Sequence, residues 1–182
     1  MRIAHMRSFI FVPLLVACGS GPSSSDAGNT APEGGTPDGS AKDTGVSSCT
    51  IPTGAAALLP WLQAKSYASW KAESKVHMSA GPHGGNVRTY LSPEIEPSFG
   101  GMSEHARCSA LVKELYGNGT SQITGWAVSV KVDSSSQSGQ GWYWYELISM
   151  GGNPVADGKG VTLCTSCHSG GRDYVLSPTP LQ

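Results

Sequence analysis

Near its C-terminus the chain reads Cys164-Thr165-Ser166-Cys167-His168. Two thiols three positions apart can each add to one vinyl group of a porphyrin. An imidazole directly after the second thiol is placed to donate to the iron, so the pattern reads as c-type haem attachment. Two rival chemistries fit less well. A thioredoxin-like pair opens a helix inside a βαβ unit, whereas this pair lies beside Gly-rich segments close to the C-terminus. A zinc site needs two more ligands, and Cys49, Cys108, His77, His83 and His105 stand in no paired spacing. For a second axial position Met78, Met102 and Met150 are candidates, since Met with His is the usual electron-transfer pairing; none is marked by its neighbours. His83, in Gly81-Pro82-His83-Gly84-Gly85, is either a distal imidazole or an ordinary hydrogen-bonded loop histidine.

Haem attachment of this kind takes place outside the cytoplasm, and the N-terminus agrees. Arg2 and Arg7 precede a short apolar run that begins at Phe9 and ends in Leu15-Val16-Ala17-Cys18. The run is too short to span a bilayer and has the form of a secretory signal, residues 1–17. Its end looks like a bacterial lipobox, which makes Cys18 the acylated residue; the plainer alternative is an ordinary signal peptide with an incidental cysteine. Gly19 offers no inner-membrane retention signal. Residues 19–48 hold seven Gly, seven Ser and no aromatic, too little apolar surface to offset ordering entropy, so residues 18–48 read as a lipidated cysteine on a flexible tether. The expected product is an exported lipoprotein, facing the periplasm or on the outer membrane and touching the membrane only through its lipid. With Cys18, Cys164 and Cys167 assigned, Cys49 and Cys108 are left in an oxidising compartment, where they are expected to pair; two reduced, buried thiols are the other reading.

One domain, residues 49–182, remains to position the motif. All five Trp and all six Tyr fall in it, enough for a core. The formal net charge is −1, from 12 Lys plus Arg against 13 Asp plus Glu, and no basic block exists, so nucleic acid is excluded as a partner. Leu58, Leu59, Trp61, Leu62, Tyr67 and Trp70 recur at three- and four-residue spacings, predicting an amphipathic helix over 55–73 whose first turn is set by Pro60. Residues 86–91 and 123–132 alternate with period two, the latter placing Trp126, Val128, Val130 and Val132 on one face, and 142–150 is an aromatic-rich strand candidate. The class is α+β, a mainly antiparallel sheet with an N-terminal amphipathic helix and a C-terminal haem-attachment segment. Residues 106–116 suit helix or strand.

These pieces, in order, resemble a known family. Tyr67-x-x-Trp70, His83-Gly84-x-x-Val87-Arg88-x-Tyr90, Val112-Lys113-Glu114-x-Tyr116, Trp126-x-Val128-x-Val130-Lys131, Trp142-Tyr143-Trp144 and Cys164-x-x-Cys167-His168 with Asp173-Tyr174-Val175 are similar to the cytochrome P-460 family, which includes the cytochromes c-prime-beta. The likeness spans residues 58–177. It implies a mostly antiparallel β domain with one covalent haem c, usually a homodimer, and makes 106–116 a strand. Cys164 and Cys167 match the thioether cysteines and His168 the axial ligand. Lys113, in Val112-Lys113-Glu114-Leu115, matches the lysine that P-460 members join to the porphyrin edge, a crosslink that the c-prime-beta relatives lack; a solvated strand lysine is the plainer reading. Arg88 matches an arginine for which the resemblance implies a haem-propionate contact or a structural ion pair.

Three functions follow. The first is oxidation of a small nitrogen compound such as hydroxylamine at an open distal iron, fed by an unspecified periplasmic redox partner. The second is capture of nitric oxide without turnover, and the third, the alternative reading, is a low-spin electron carrier. The resemblance implies a proton-accepting carboxylate two or three positions before Val130-Lys131, where this chain has Ala127. Hydroxylamine oxidation is therefore expected to be slow unless the sheet turns Glu114, Asp133 or Glu146 inward.

Overall fold

The structure, a computed structural model, describes residues 49–182. The signal segment 1–17 and the Cys18 tether to residue 48 lie outside the described residues.

Strands β1 (Lys71–Ala72), β2 (His77–Met78), β3 (Asn86–Leu91), β4 (Ala110–Gly117), β5 (Gly125–Lys131), β6 (Trp142–Leu147) and β7 (Ala156–Lys159) build one sheet, with helices α1 (Ala55–Gln63) and α2 (Thr162–His168). Every pairing is antiparallel, in the order β1-β3-β4-β5-β6-β7, with β2 also on β3. The class is therefore α+β and mainly antiparallel. From β3 to β7 each strand neighbours its successor, so short connections suffice. The segment 106–116 that suited helix or strand becomes β4 from Ala110 on, residues 106–109 remaining outside the strand, because β3 and β5 pair along its two edges and central pairing outweighs helix propensity.

Side chains alternate between the two faces of the sheet. On one face Tyr90, Val112, Trp126, Val128, Val130, Tyr143 and Tyr145 pack with Leu58 and Leu62 of α1. Within this layer Glu114, 1% exposed, accepts hydrogen bonds from Tyr67 (2.8 Å), Tyr90 (3.3 Å) and Tyr116 (2.5 Å). The Trp126 indole donates to the Tyr67 hydroxyl at 2.9 Å. A carboxylate that deep is tolerable only with its oxygens so occupied, and its acceptors raise the phenol pKa values alongside burial, which is the larger cause.

Helix α1 is shorter than its aromatic spacing suggests. It stops at Gln63, and Lys65 takes a left-handed φ of 52°, a conformation that cannot continue a helix. Beyond it Tyr67 and Trp70 return through turns to pack on Trp61, at centroid distances of 5.8 and 5.7 Å. The three- and four-residue spacing reflects that aromatic nest as well as the helix. Pro60 also lies inside the second turn, not the first. The helix start is built by tertiary contacts: Gly54, at φ 85°, donates to the Tyr143 hydroxyl, and the Asp157 carboxylate from β7 accepts from the Ala55 N–H. Cys49 and Cys108 form a disulfide, fastening the start of the domain to the approach to β4.

Candidate functional site

The second face of the sheet carries two cross-strand rows. Thr89, Lys113, Ala127 and Glu146 are successive partners across β3 to β6, and Leu91, Leu111, Ser129 and Trp144 form the next row. Together with α2 and residues 174–177 these rows, Leu91 excepted, line a largely apolar cleft of about 350 Å³, within the range of small-molecule and cofactor sites. Ile148, Val155, Leu163 and Leu176 rim it and are half exposed.

Helix α2 brings Cys164, Cys167 and His168 to the cleft wall, three residues that one helical turn gathers on a side. Both thiols are unpaired; burial, followed by Glu146 and Cys167, pushes the Cys164 pKa up to about 11. The His168 Nδ1–H donates to the Tyr174 carbonyl at 2.8 Å, which fixes the tautomer and leaves Nε2 with the lone pair. Burial keeps this ring toward its neutral form, against the pull of that same bond. Trp144 stands beside it, centroids 4.6 Å apart.

The turn that supplies the Tyr174 carbonyl is itself anchored. Asp173 and Tyr174 have positive φ of 45° and 67°, and an Arg172–Val175 bridge closes the turn. Asp173 accepts from Lys131 Nζ at 2.7 Å, from the His105 N–H at 2.7 Å and from the Ser136 hydroxyl. Lys131 is fully buried on the cleft face of β5. A buried charge needs such a partner, so the pair fixes the turn and the turn orients the imidazole.

Lys113 projects into the cleft from the middle of β4. Burial lowers its pKa, while Glu73 and Glu146 act the other way, and its amine makes no hydrogen bond or close ion pair with any described residue. Glu146 faces the cleft beside Ala127, its cross-strand partner, and holds His83 Nδ1 at 2.9 Å from Oε1. His83 lies at the cleft wall. Of the three carboxylates that the sequence leaves open, Glu146 alone points inward: Glu114 is on the opposite face, and Asp133 pairs with Lys159 at 2.6 Å.

Arg88 is not brought to the cleft. It shares the opposite face of β3 with Tyr90, donates from Nε to the Glu73 carbonyl at 2.9 Å and lies 5.2 Å from the Tyr90 ring centre, because its position is one residue out of phase with Thr89. Met78, Met102 and Met150 are exposed and line no part of the cleft. His77 lies 3.1 Å from Glu73, and His105 is buried against Ser98 and Trp142. No cluster of three or more metal-ligating side chains occurs among the described residues, nor does any of their helices have the length and apolarity to cross a membrane.

Sequence reasoning left three contributors without a role: Trp144, Lys131 and Asp173. Trp144 was legible in part, since period two puts it on the face of Glu146. Compared with known proteins, the chain matches no family model and no curated relative at a significant level.

Proposed function

We propose that the protein is an exported c-type cytochrome that holds one haem in the cleft and binds nitric oxide or hydroxylamine there. The supporting observation is that Cys164, Cys167 and His168 line one apolar cleft from a single helix, with the imidazole Nδ1–H engaged and Nε2 unpartnered. The donor set suits the group: two free thiols for thioether bonds, one oriented nitrogen for iron, and apolar walls for the macrocycle. The buried Trp144 Nε1, which has no hydrogen-bond partner among the described residues, suits the same reading, since an orphaned donor at a cleft wall calls for an acceptor on a bound molecule.

When bound, haem supplies an iron that takes a small nitrogen ligand and exchanges electrons with a periplasmic partner. The chain's own residues supply the rest. Cys164 and Cys167 tether, His168 ligates, and the Tyr174 carbonyl raises the basicity of its ring. Lys113, a desolvated amine on the cleft floor, is the candidate for the porphyrin crosslink, since desolvation raises the fraction of the nucleophilic neutral form; forming that N–C bond would remove one amine N–H and one porphyrin C–H and pass two electrons to a peroxide, which leaves as water. Glu146 takes the proton-accepting role that Ala127 lacks, from the neighbouring strand. Its inward position removes the ground for expecting slow hydroxylamine oxidation. The lipidated Cys18, the tether and a homodimer belong to this reading, the last consistent with the exposed apolar rim.

The test is a pyridine haemochrome assay with intact mass on purified protein. One covalent haem per chain is expected, and Cys167→Ala should lose most of it after acid–acetone extraction. Wild-type protein without covalent haem, from a host with a haem-attachment system, overturns the reading.

A further inference from the structure

We infer that His83 is the sixth ligand of the iron that His168 holds, bound at rest and displaced by incoming small ligands. This rests on the cytochrome reading above. Its first ground is a distance. The His83 and His168 ring centres are 6.2 Å apart. An imidazole nitrogen sits about 1.1 Å from its ring centre and about 2.0 Å from a bound metal, so two imidazoles on opposite sides of one ion have centres roughly 6.2 Å apart.

The second ground is that the two rings are prepared alike. His168 Nδ1 is held by the Tyr174 carbonyl at 2.8 Å, and His83 Nδ1 by the Glu146 carboxylate at 2.9 Å. Each Nε2 is left without a partner among the described residues. A carbonyl or carboxylate on Nδ1 is the usual companion of an imidazole that ligates through Nε2. Met78, Met102 and Met150, meanwhile, are all off the cleft.

The third ground explains displacement. His83 is at the tip of the hairpin loop 79–85 between β2 and β3, closed at its base by the Ser79 N–H donating to the Gly85 carbonyl at 2.8 Å. Gly84 and Gly85 have φ of 53° and 66°, and a Cβ on Gly85 would meet the Gly117 backbone at 2.2 Å, so the base is pinned to the end of β4. Residues 80–82 are exposed, and the tip's one hydrogen bond to the rest of the fold, among the described residues, is that from His83 to Glu146. Releasing His83 therefore moves a short loop tip and disturbs no strand. Glu146, acting through His83, is a positioning residue here: its charge raises imidazole basicity and favours ferric iron.

The experiment uses haem-loaded full-length protein. Ferric wild type should give a low-spin electron paramagnetic resonance signal and a near-infrared magnetic circular dichroism band of two imidazole ligands. His83→Ala, with covalent haem retained, should turn high-spin and return to low-spin on adding free imidazole. Glu146→Gln should stay low-spin with a more positive midpoint potential. Ferrous His83→Ala should bind nitric oxide about tenfold or more tightly than wild type, since a wild-type iron open a tenth of the time loses that factor. If His83→Ala fails to mature, the wild-type near-infrared band still decides between a second imidazole and an amine such as Lys113. High-spin wild type, an amine signature or an unchanged His83→Ala spectrum overturns the ligand assignment and leaves the cytochrome reading standing. Equal nitric oxide affinities overturn displacement. Wild type without covalent haem overturns the cytochrome reading and this inference with it.

Discussion

Glu146 and Lys113 stand two strands apart on one cross-strand row with Ala127 between them, and their chemistry follows from what surrounds each. Among the described residues Glu146 has no hydrogen-bond donor except His83, so its carboxylate remains available to a bound substrate. Glu146→Gln keeps the shape and removes the proton acceptor. Hydroxylamine oxidation by the haem-loaded protein should fall about 10²-fold or more, while Glu114→Gln, on the other face, should change it little; the reverse order would relocate the base. Lys113 is desolvated without a close counter-ion. In Lys113→Ala the haem should remain bound through its thioethers, and any red shift of the ferrous Soret band in wild type should disappear. Identical ferrous spectra would exclude a crosslink.

At the scale of elements, two fastenings hold the site's supports. The Lys131–Asp173 pair, 2.7 Å long with both side chains buried, fixes the turn whose Tyr174 carbonyl orients His168. The Cys49–Cys108 disulfide joins residues 59 apart, tying the segment before α1 to the approach to β4. Closing a loop of that length stabilises by roughly 4 kcal/mol in the chain-entropy picture. The double variant Cys49→Ala with Cys108→Ala should lose about that much in urea unfolding while still folding around the same sheet, because the pairs of β3 to β6 do not involve either cysteine. A loss near zero would mean that α1 is held by its Leu58 and Leu62 packing alone.

For the molecule as a whole, acid stability is set in part by His105. It is 2% exposed, and burial, the largest cause, holds its pKa below the ordinary histidine value, with Lys131 and Arg172 adding to the effect and Asp173 opposing it. The unfolded chain therefore binds a proton that the folded state resists, between the folded pKa and about 6.5. Stability should rise with pH through that window and be lost as pH falls through it toward the folded pKa, with a slope of up to about 1.4 kcal/mol per pH unit from this residue. Urea midpoints from pH 6.5 down to 5 should fall less steeply in His105→Asn than in wild type; parallel slopes would assign the acid limb to other groups.

Alternation along β3, β5 and β6 was legible in the sequence because side-chain period is a local property of extended chain, and Trp126, Val128 and Val130 do share one face. The Cys49–Cys108 pairing was legible from the cysteine count and the expected compartment. Helix length was not: Lys65 leaves the helix because Tyr67 and Trp70 find better packing on Trp61, a contact that spacing alone cannot distinguish from another helical turn. What only the tertiary structure decided is which face of each strand meets α1 and which lines the cleft. Glu114 and Glu146 are both strand glutamates, and Arg88 and Lys113 both strand cations. Yet one of each pair faces the cleft and the other does not. That choice depends on inter-strand register and on where α1 and α2 dock, and both are set by contacts between residues far apart in the chain. The approach of His83 to His168, 85 positions away, is of the same kind: the β2–β3 loop and α2 meet only once the sheet has formed.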